Sequence, residues 1–146
     1  MSSLRKALVF TSVVGAIIGV FVAVYLLVIA PSFVGKVSPE GEMLRSYVEP
    51  SELKKLIDEG RQDIWIIDVR PANDYKKGHI PGAKSFPYST IETRLHELPK
   101  DRYLILYCTT GGRVELTINK LKKHGYSKYM NWGGYTRWAY DLEVDN

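Results

Sequence analysis

The sequence predicts an α/β domain, a parallel sheet covered by helices on both faces, standing behind one uncharged segment of membrane-spanning length. Three observations predict it. Two short apolar runs, Asp63–Val69 (DIWIIDV) and Tyr103–Cys108 (YLILYC), lack the alternation of a half-exposed strand and suit strands buried on both faces. Helical patterns lie between the apolar runs, and strands alternating with helices imply βαβ crossovers. From Ala7 to Gly35 no side chain is charged, and a helix of about 20 apolar residues crosses a hydrocarbon layer.

These features divide the chain into an N-terminal segment (1–6), a candidate span (7–31), a linker (32–49) and a domain (50–146). A secretory leader is the competing reading of the span. Its apolar region is only about 7–15 residues long and ends at a small-x-small site, whereas Pro31 follows Ala30 here. An uncleaved single-pass anchor fits better. Arg5 and Lys6 precede the span and Lys36 follows it, so the positive-inside rule puts the N-terminus in the cytoplasm and the domain outside. Thr11, Gly15, Gly19 and Ala23 make a small-residue stripe with a GxxxG match. Such a stripe suits pairing with a second copy or another membrane helix, although Gly and Ala are common in such segments anyway. Residues 32–49 carry Pro, Gly and Ser without a sustained period and read as a linker.

Within the domain, PSELKKLIDEG reads as a helix with Leu53, Leu56 and Ile57 on one face and Gly60 at its stop. RPANDYKKGHIPGA is a polar loop with room for one helical turn, and AKSFP is a short strand. STIETRLHEL opens on a capping box, Ser89 with Glu92, and sets Ile91, Leu95 and Leu98 on one side. RVELTINKLKKHG is a helix with Val114, Ile118 and Leu121 inward and Gly125 at its end. KYMNW is a weaker strand, and GGYTRWAYDL a final short helix.

Cys108 is the only cysteine, so the chain has no internal disulfide. It stands where an apolar strand gives way to TTGG and then to a helix. In open α/β sheets ligands bind at the carboxyl ends of strands, and helix N-termini favour anions. Glycines let the backbone close around a ligand, and Arg113 adds a positive charge. These features suit a thiolate nucleophile in an anion-binding cup. Free cysteines are also common core residues, and the local pattern leaves both readings open.

Other chemistries find less support. His79, His96 and His124 lack metal-ligand spacing, one Cys cannot complete a zinc site, and neither metal nor cofactor is expected. No P-loop, GxSxG or HExxH occurs. The net charge of +4 comes without a basic stripe interleaved with aromatics, which argues against nucleic acid.

Three segments in this order, IIDVRPANDYKKGHIPGAKSFP, LILYCTTGGR and NWGGYTRW, resemble a rhodanese-like domain over about Pro50 to Tyr140. The resemblance implies a three-layer α/β fold around a parallel sheet of about five strands. It also implies sulfurtransferase chemistry, in which Cys108 takes a sulfane sulfur from an anionic donor and passes it as a persulfide to cyanide or a thiol. The amides of Thr109, Thr110, Gly111, Gly112 and Arg113 would cradle that sulfur. The six-residue loop favours sulfur transfer over the phosphatase and arsenate-reductase branch, whose loop is one residue longer. By the same resemblance Asp68 orders the loop region, Arg70 pairs with Asp74, His79 stabilises a surface turn, and Gly133, Gly134 and Trp138 are structural. Val114 stands where Ser is common, and the usual glycine-x-proline after the tryptophan is missing. Polysulfide or a protein persulfide is therefore as good a donor candidate as thiosulfate. Two other functions fit the same residues: a thiol relay serving a membrane partner, and a non-catalytic binding module.

Overall fold

The computed structural model describes residues 16–24 and 33–145. The chain divides into two units, Met1–Ser32 and Phe33–Asn146. In the first, residues 16–24 are helical. Among the described residues no helix is long and apolar enough to cross a membrane. Most of the predicted span 7–31 lies outside them, as do Thr11 and Gly15 of the small-residue stripe, so a spanning helix is not shown.

The second unit is built on one five-stranded sheet. Its strands are β1 (Lys36–Val37), β2 (Ile64–Asp68), β3 (Lys84–Ser85), β4 (Tyr103–Cys108) and β5 (Tyr129–Gly134), in the order β1-β5-β4-β2-β3. β2, β3, β4 and β5 run parallel, and β1 is antiparallel at the edge. The two apolar runs became β2 and β4, adjacent in the middle of the sheet. Alternation along β4 sends Leu104, Leu106 and Cys108 to one face and Ile105 and Tyr107 to the other, into two separate cores. A strand covered on both faces needs apolar residues at every position, which is why these runs show no polar alternation.

On one face, helix Gly112–Lys123 lays Val114, Ile118 and Leu121 on the sheet beside a 3-10 helix, Ile91–Glu97. On the other, helix Pro50–Asp58 contributes Leu53 and Leu56. The helical turn expected in the polar loop is Ala72–Lys76.

Three expectations are corrected. First, residues 33–49 are no linker. Lys36 and Val37 pair with Asn131 and Met130 of β5, and a 3-10 helix, Pro39–Tyr47, buries Leu44 completely. Ser38 fastens this segment: its hydroxyl caps the 3-10 helix at Gly41 N–H (3.0 Å) and takes the Tyr129 N–H (3.1 Å). Contacts this far apart in sequence leave no local period to read. Second, the Ser89–Glu92 capping box does not form, and the segment is 3-10 rather than α. Its cap is Thr90, whose hydroxyl donates back to the Pro87 carbonyl and makes no capping bond to the helix, while the Glu92 carboxylate reaches Lys120 at 3.2 Å on the neighbouring helix. Third, the final helix is one 3-10 turn, Tyr135–Arg137, which ends where Trp138 turns into the core.

Candidate active site

The parallel strands bring their carboxyl ends to one edge of the sheet, at Asp68, Ser85, Cys108 and Gly134. In the middle of that edge, β4 delivers Cys108. The residue is 1 % exposed and packs in the core beneath helix Gly112–Lys123. Its Sγ also accepts a hydrogen bond from the Gly111 N–H at 3.0 Å. Cys108 is therefore both a buried residue and the floor of the glycine loop.

The loop's shape follows from Gly111. Its φ of 98° is a left-handed value that side chains resist, and it turns the chain from β4 into the helix. As the helix cap it has no side chain to offer, so the first-turn amides receive no side-chain acceptor there. Thr109 and Thr110 are exposed, and among the described residues no protein acceptor takes their backbone N–H groups. Arg113 is exposed too, with Nη1 3.5 Å from the Thr109 hydroxyl. Of the five amides expected to cradle the sulfur, Gly111 alone bonds to it among the described residues. Unpaired amides, a helix N-terminus and a guanidinium together make a place where negative charge is favoured.

Asp68 and Arg70 meet, but not in the predicted pairing. The Asp68 carboxylate takes the Arg70 backbone N–H (2.8 Å) and the Arg70 guanidinium (2.6 Å), which also donates to the Gly78 carbonyl (2.8 Å). Both residues are buried, and Arg70 does not pair with Asp74. Burial is the largest single influence and disfavours the Arg70 charge, but the hydrogen bond to Asp68, the negative charge of that carboxylate and Tyr107 together outweigh it and hold the pKa above the ordinary arginine value. The guanidinium also lies over the Tyr135 ring, 4.2 Å from its centroid. Asp74 instead lines a cavity of about 260 Å³ beside the loop, together with Arg70, Lys77, Thr109 and Tyr135. Two other hollows, about 220 and 440 Å³, lie against Trp65 and Trp138 and include no residue of the loop 108–113.

His79 is buried at 1 % exposure, not on the surface as expected. It stacks on Tyr75 at 3.7 Å, its Nδ1 lies 3.0 Å from the Tyr75 carbonyl, and its backbone exchanges two 2.9 Å bonds with Glu143. Those contacts tie the turn to the C-terminal segment. His96 and His124 are exposed.

Sequence reasoning missed Asn131. This wholly buried side chain donates from Nδ2 to the Gly111 carbonyl (3.1 Å) and to Glu115 Oε1 (2.9 Å), and accepts the Gly133 N–H at Oδ1 (3.0 Å). The available signal was a lone amide in KYMNW, a run read as a weaker strand, since a polar group that the fold buries finds partners.

Fold and site define a class: an α/β domain with a cysteine at the carboxyl end of its central strand, under a glycine loop that opens a helix. Residues 49–141 match the Rhodanese-like domain family, and the chain belongs to it. It is 37 % identical over 103 residues to the probable adenylyltransferase/sulfurtransferase MoeZ of Mycobacterium tuberculosis, covering 68 % of this chain but only 26 % of that protein. The thiosulfate sulfurtransferase GlpE of Pseudoalteromonas translucida is 28 % identical across 70 % of this chain and 99 % of its own length. Among solved structures, a rhodanese-like domain protein from Staphylococcus aureus superposes with a TM-score of 0.59 at 28 % identity, covering 67 % of this chain and 96 % of that one.

Proposed function

We propose that the protein is a sulfurtransferase working through a Cys108 persulfide. The observation that carries this reading is the Gly111 N–H directed at the Cys108 sulfur at 3.0 Å, at a strand end that opens into a helix. The Gly111 N–H and the helix N-terminus offer partners for negative charge at this position, and the thiolate is the nucleophile in such a transfer. With thiosulfate, the Cys108 thiolate attacks the sulfane sulfur, an S–S bond forms to Cys108, and sulfite leaves with the electron pair of the broken bond. A thiolate or cyanide acceptor then attacks the outer sulfur and Cys108 departs as thiolate. Charge balances in both steps, and no cofactor or outside oxidant is needed. The amides of Thr109 and Thr110, which no acceptor among the described residues takes, and the charge on Arg113 suit the anionic oxygens of such a donor. At 1 % exposure the sulfur favours small or extended donors, thiosulfate and polysulfide among them, over bulky ones. The names of MoeZ and GlpE support the reaction class.

The uncharged run from Ala7 to Gly35 supports a further part of this reading, a single-pass anchor over residues 7–31 that holds the domain outside the cytoplasm.

Intact-mass spectrometry of the full chain after brief exposure to thiosulfate or polysulfide tests the reaction. The expected result is a gain of one sulfur atom, absent in Cys108→Ala and removed by cyanide. Folded protein with a titratable thiol and no adduct from either donor would overturn small-molecule transfer.

A further inference from the structure

We infer that Asn131 is the positioning residue of the cysteine loop, and that Glu115 and Lys36 hold it in place. The side chain sits on β5 at zero exposure, and all three of its hydrogen bonds are directed at the site's framework. One Nδ2 hydrogen goes to the Gly111 carbonyl and the other to Glu115 Oε1, while Oδ1 takes the Gly133 N–H. Gly111 is the residue whose own N–H reaches Cys108 Sγ. Gly111 has no side chain to anchor it, and its carbonyl already takes the Glu115 N–H at 3.2 Å as the first bond of the helix. Asn131 adds a second bond to that carbonyl, whose peptide plane meets, at the Gly111 Cα, the plane carrying the N–H aimed at the sulfur, and so it steadies the residue that makes the contact.

The bond network continues outward. The second oxygen of Glu115 pairs with Lys36 Nζ at 2.9 Å, and Lys36 lies on the edge strand β1. Glu115 is mostly buried and Lys36 mostly exposed, so the lysine screens a carboxylate that would otherwise stand unpaired near the loop. Trp132 is skipped in the β4–β5 register: Leu106 pairs with Asn131 and Tyr107 with Gly133. This bulge breaks the alternation of β5 beside the loop, where bulges commonly redirect side chains.

The inference rests on Cys108 being the reactive thiol, but its test needs no sulfur donor. The measurement is the rate of alkylation of Cys108 by iodoacetamide in the full chain as a function of pH. Weakening one hydrogen bond to an ionised sulfur is expected to raise the midpoint of that profile by about one unit in Asn131→Ala. Glu115→Ala and Glu115→Gln carry the same charge, and only the glutamine keeps an oxygen for Asn131 Nδ2. The midpoint of Glu115→Ala should therefore lie above that of Glu115→Gln, and its rate at neutral pH should be several-fold lower. A folded Asn131→Ala with the wild-type profile overturns the inference, and so do coincident profiles for the two Glu115 variants. Should Asn131→Ala fail to fold, the Glu115 pair decides alone. The expected differences between the wild-type and variant profiles, found without any persulfide formation, would refute sulfur transfer and leave the positioning role standing.

Discussion

At Gly134 there is no room for a methyl group. An added Cβ would lie 2.3 Å from the Thr109 carbonyl oxygen, which is backbone and cannot swing aside. β5 passes this close to the cysteine loop only because glycine stands there. Gly134→Ala is expected to cost roughly 1–3 kcal/mol, the usual range for overpacking, and to displace Thr109 from the mouth of the loop. Urea unfolding checks the first effect, and a lower persulfide yield in a variant that still folds checks the second. An unchanged midpoint would mean that the two strands separate freely. Gly134 was legible from the sequence as part of a motif, but the reason for it was not, because Thr109 lies far from it along the chain. Asp68 and Arg70 show the converse. Their proximity was plain from the sequence, yet the expected partner of Arg70 was Asp74. The guanidinium chose Asp68 because both groups are buried, and a buried charge needs a charged partner with hydrogen bonds on its remaining atoms.

Among the elements, the segment Lys36–Tyr47 departs most from its sequence pattern. It offers few apolar residues and no period, yet Leu44 is fully enclosed against Leu53, Met130 and Trp132 in the second core. Leu44→Ala should lower stability by about 2–5 kcal/mol, as for other enclosed leucines, whereas a leucine in a mobile linker would cost almost nothing. Chemical denaturation of the full-length variant distinguishes the two. The 3-10 helix Ile91–Glu97 gives a second case. Its inward residue Ile91 was correctly read, but its polar partners lie far along the chain: the Tyr126 hydroxyl lies within hydrogen-bond distance of the Leu95 and Leu98 carbonyls, and Glu92 pairs with Lys120.

For the whole molecule, two buried phenols and one half-buried phenol set an alkaline limit. Burial pushes the pKa values of Tyr107, Tyr126 and Tyr75 above the ordinary tyrosine value; Asp68 adds to the effect at Tyr107, and the Asp145, Glu143 and Asp68 carboxylates add to it at Tyr75. A raised folded-state pKa means that the folded chain binds the proton more tightly than the unfolded one. The stabilisation is complete below the unfolded value of about 10 and is lost as pH rises through the folded values. The melting temperature should therefore be steady from about pH 8 to about 10 and fall above that, with a shallower fall in Tyr126→Phe. A flat profile beyond this range would contradict the burial seen here. At this scale the amino-acid sequence by itself determined the α/β class, the two central strands, the long helix with its buried face, and the loop carrying Cys108. Each of these is encoded locally, in unbroken apolar runs, a helical period, or glycines between a strand and a helix. Tertiary structure alone decided that Lys36 and Val37 join the sheet and bring the 3-10 helix after them into the domain, that Arg70 turns to Asp68, that His79 is buried, and that Asn131 reaches across to Gly111. Those outcomes depend on which distant groups share a desolvated space, and a buried polar atom bonds to whatever the fold places beside it.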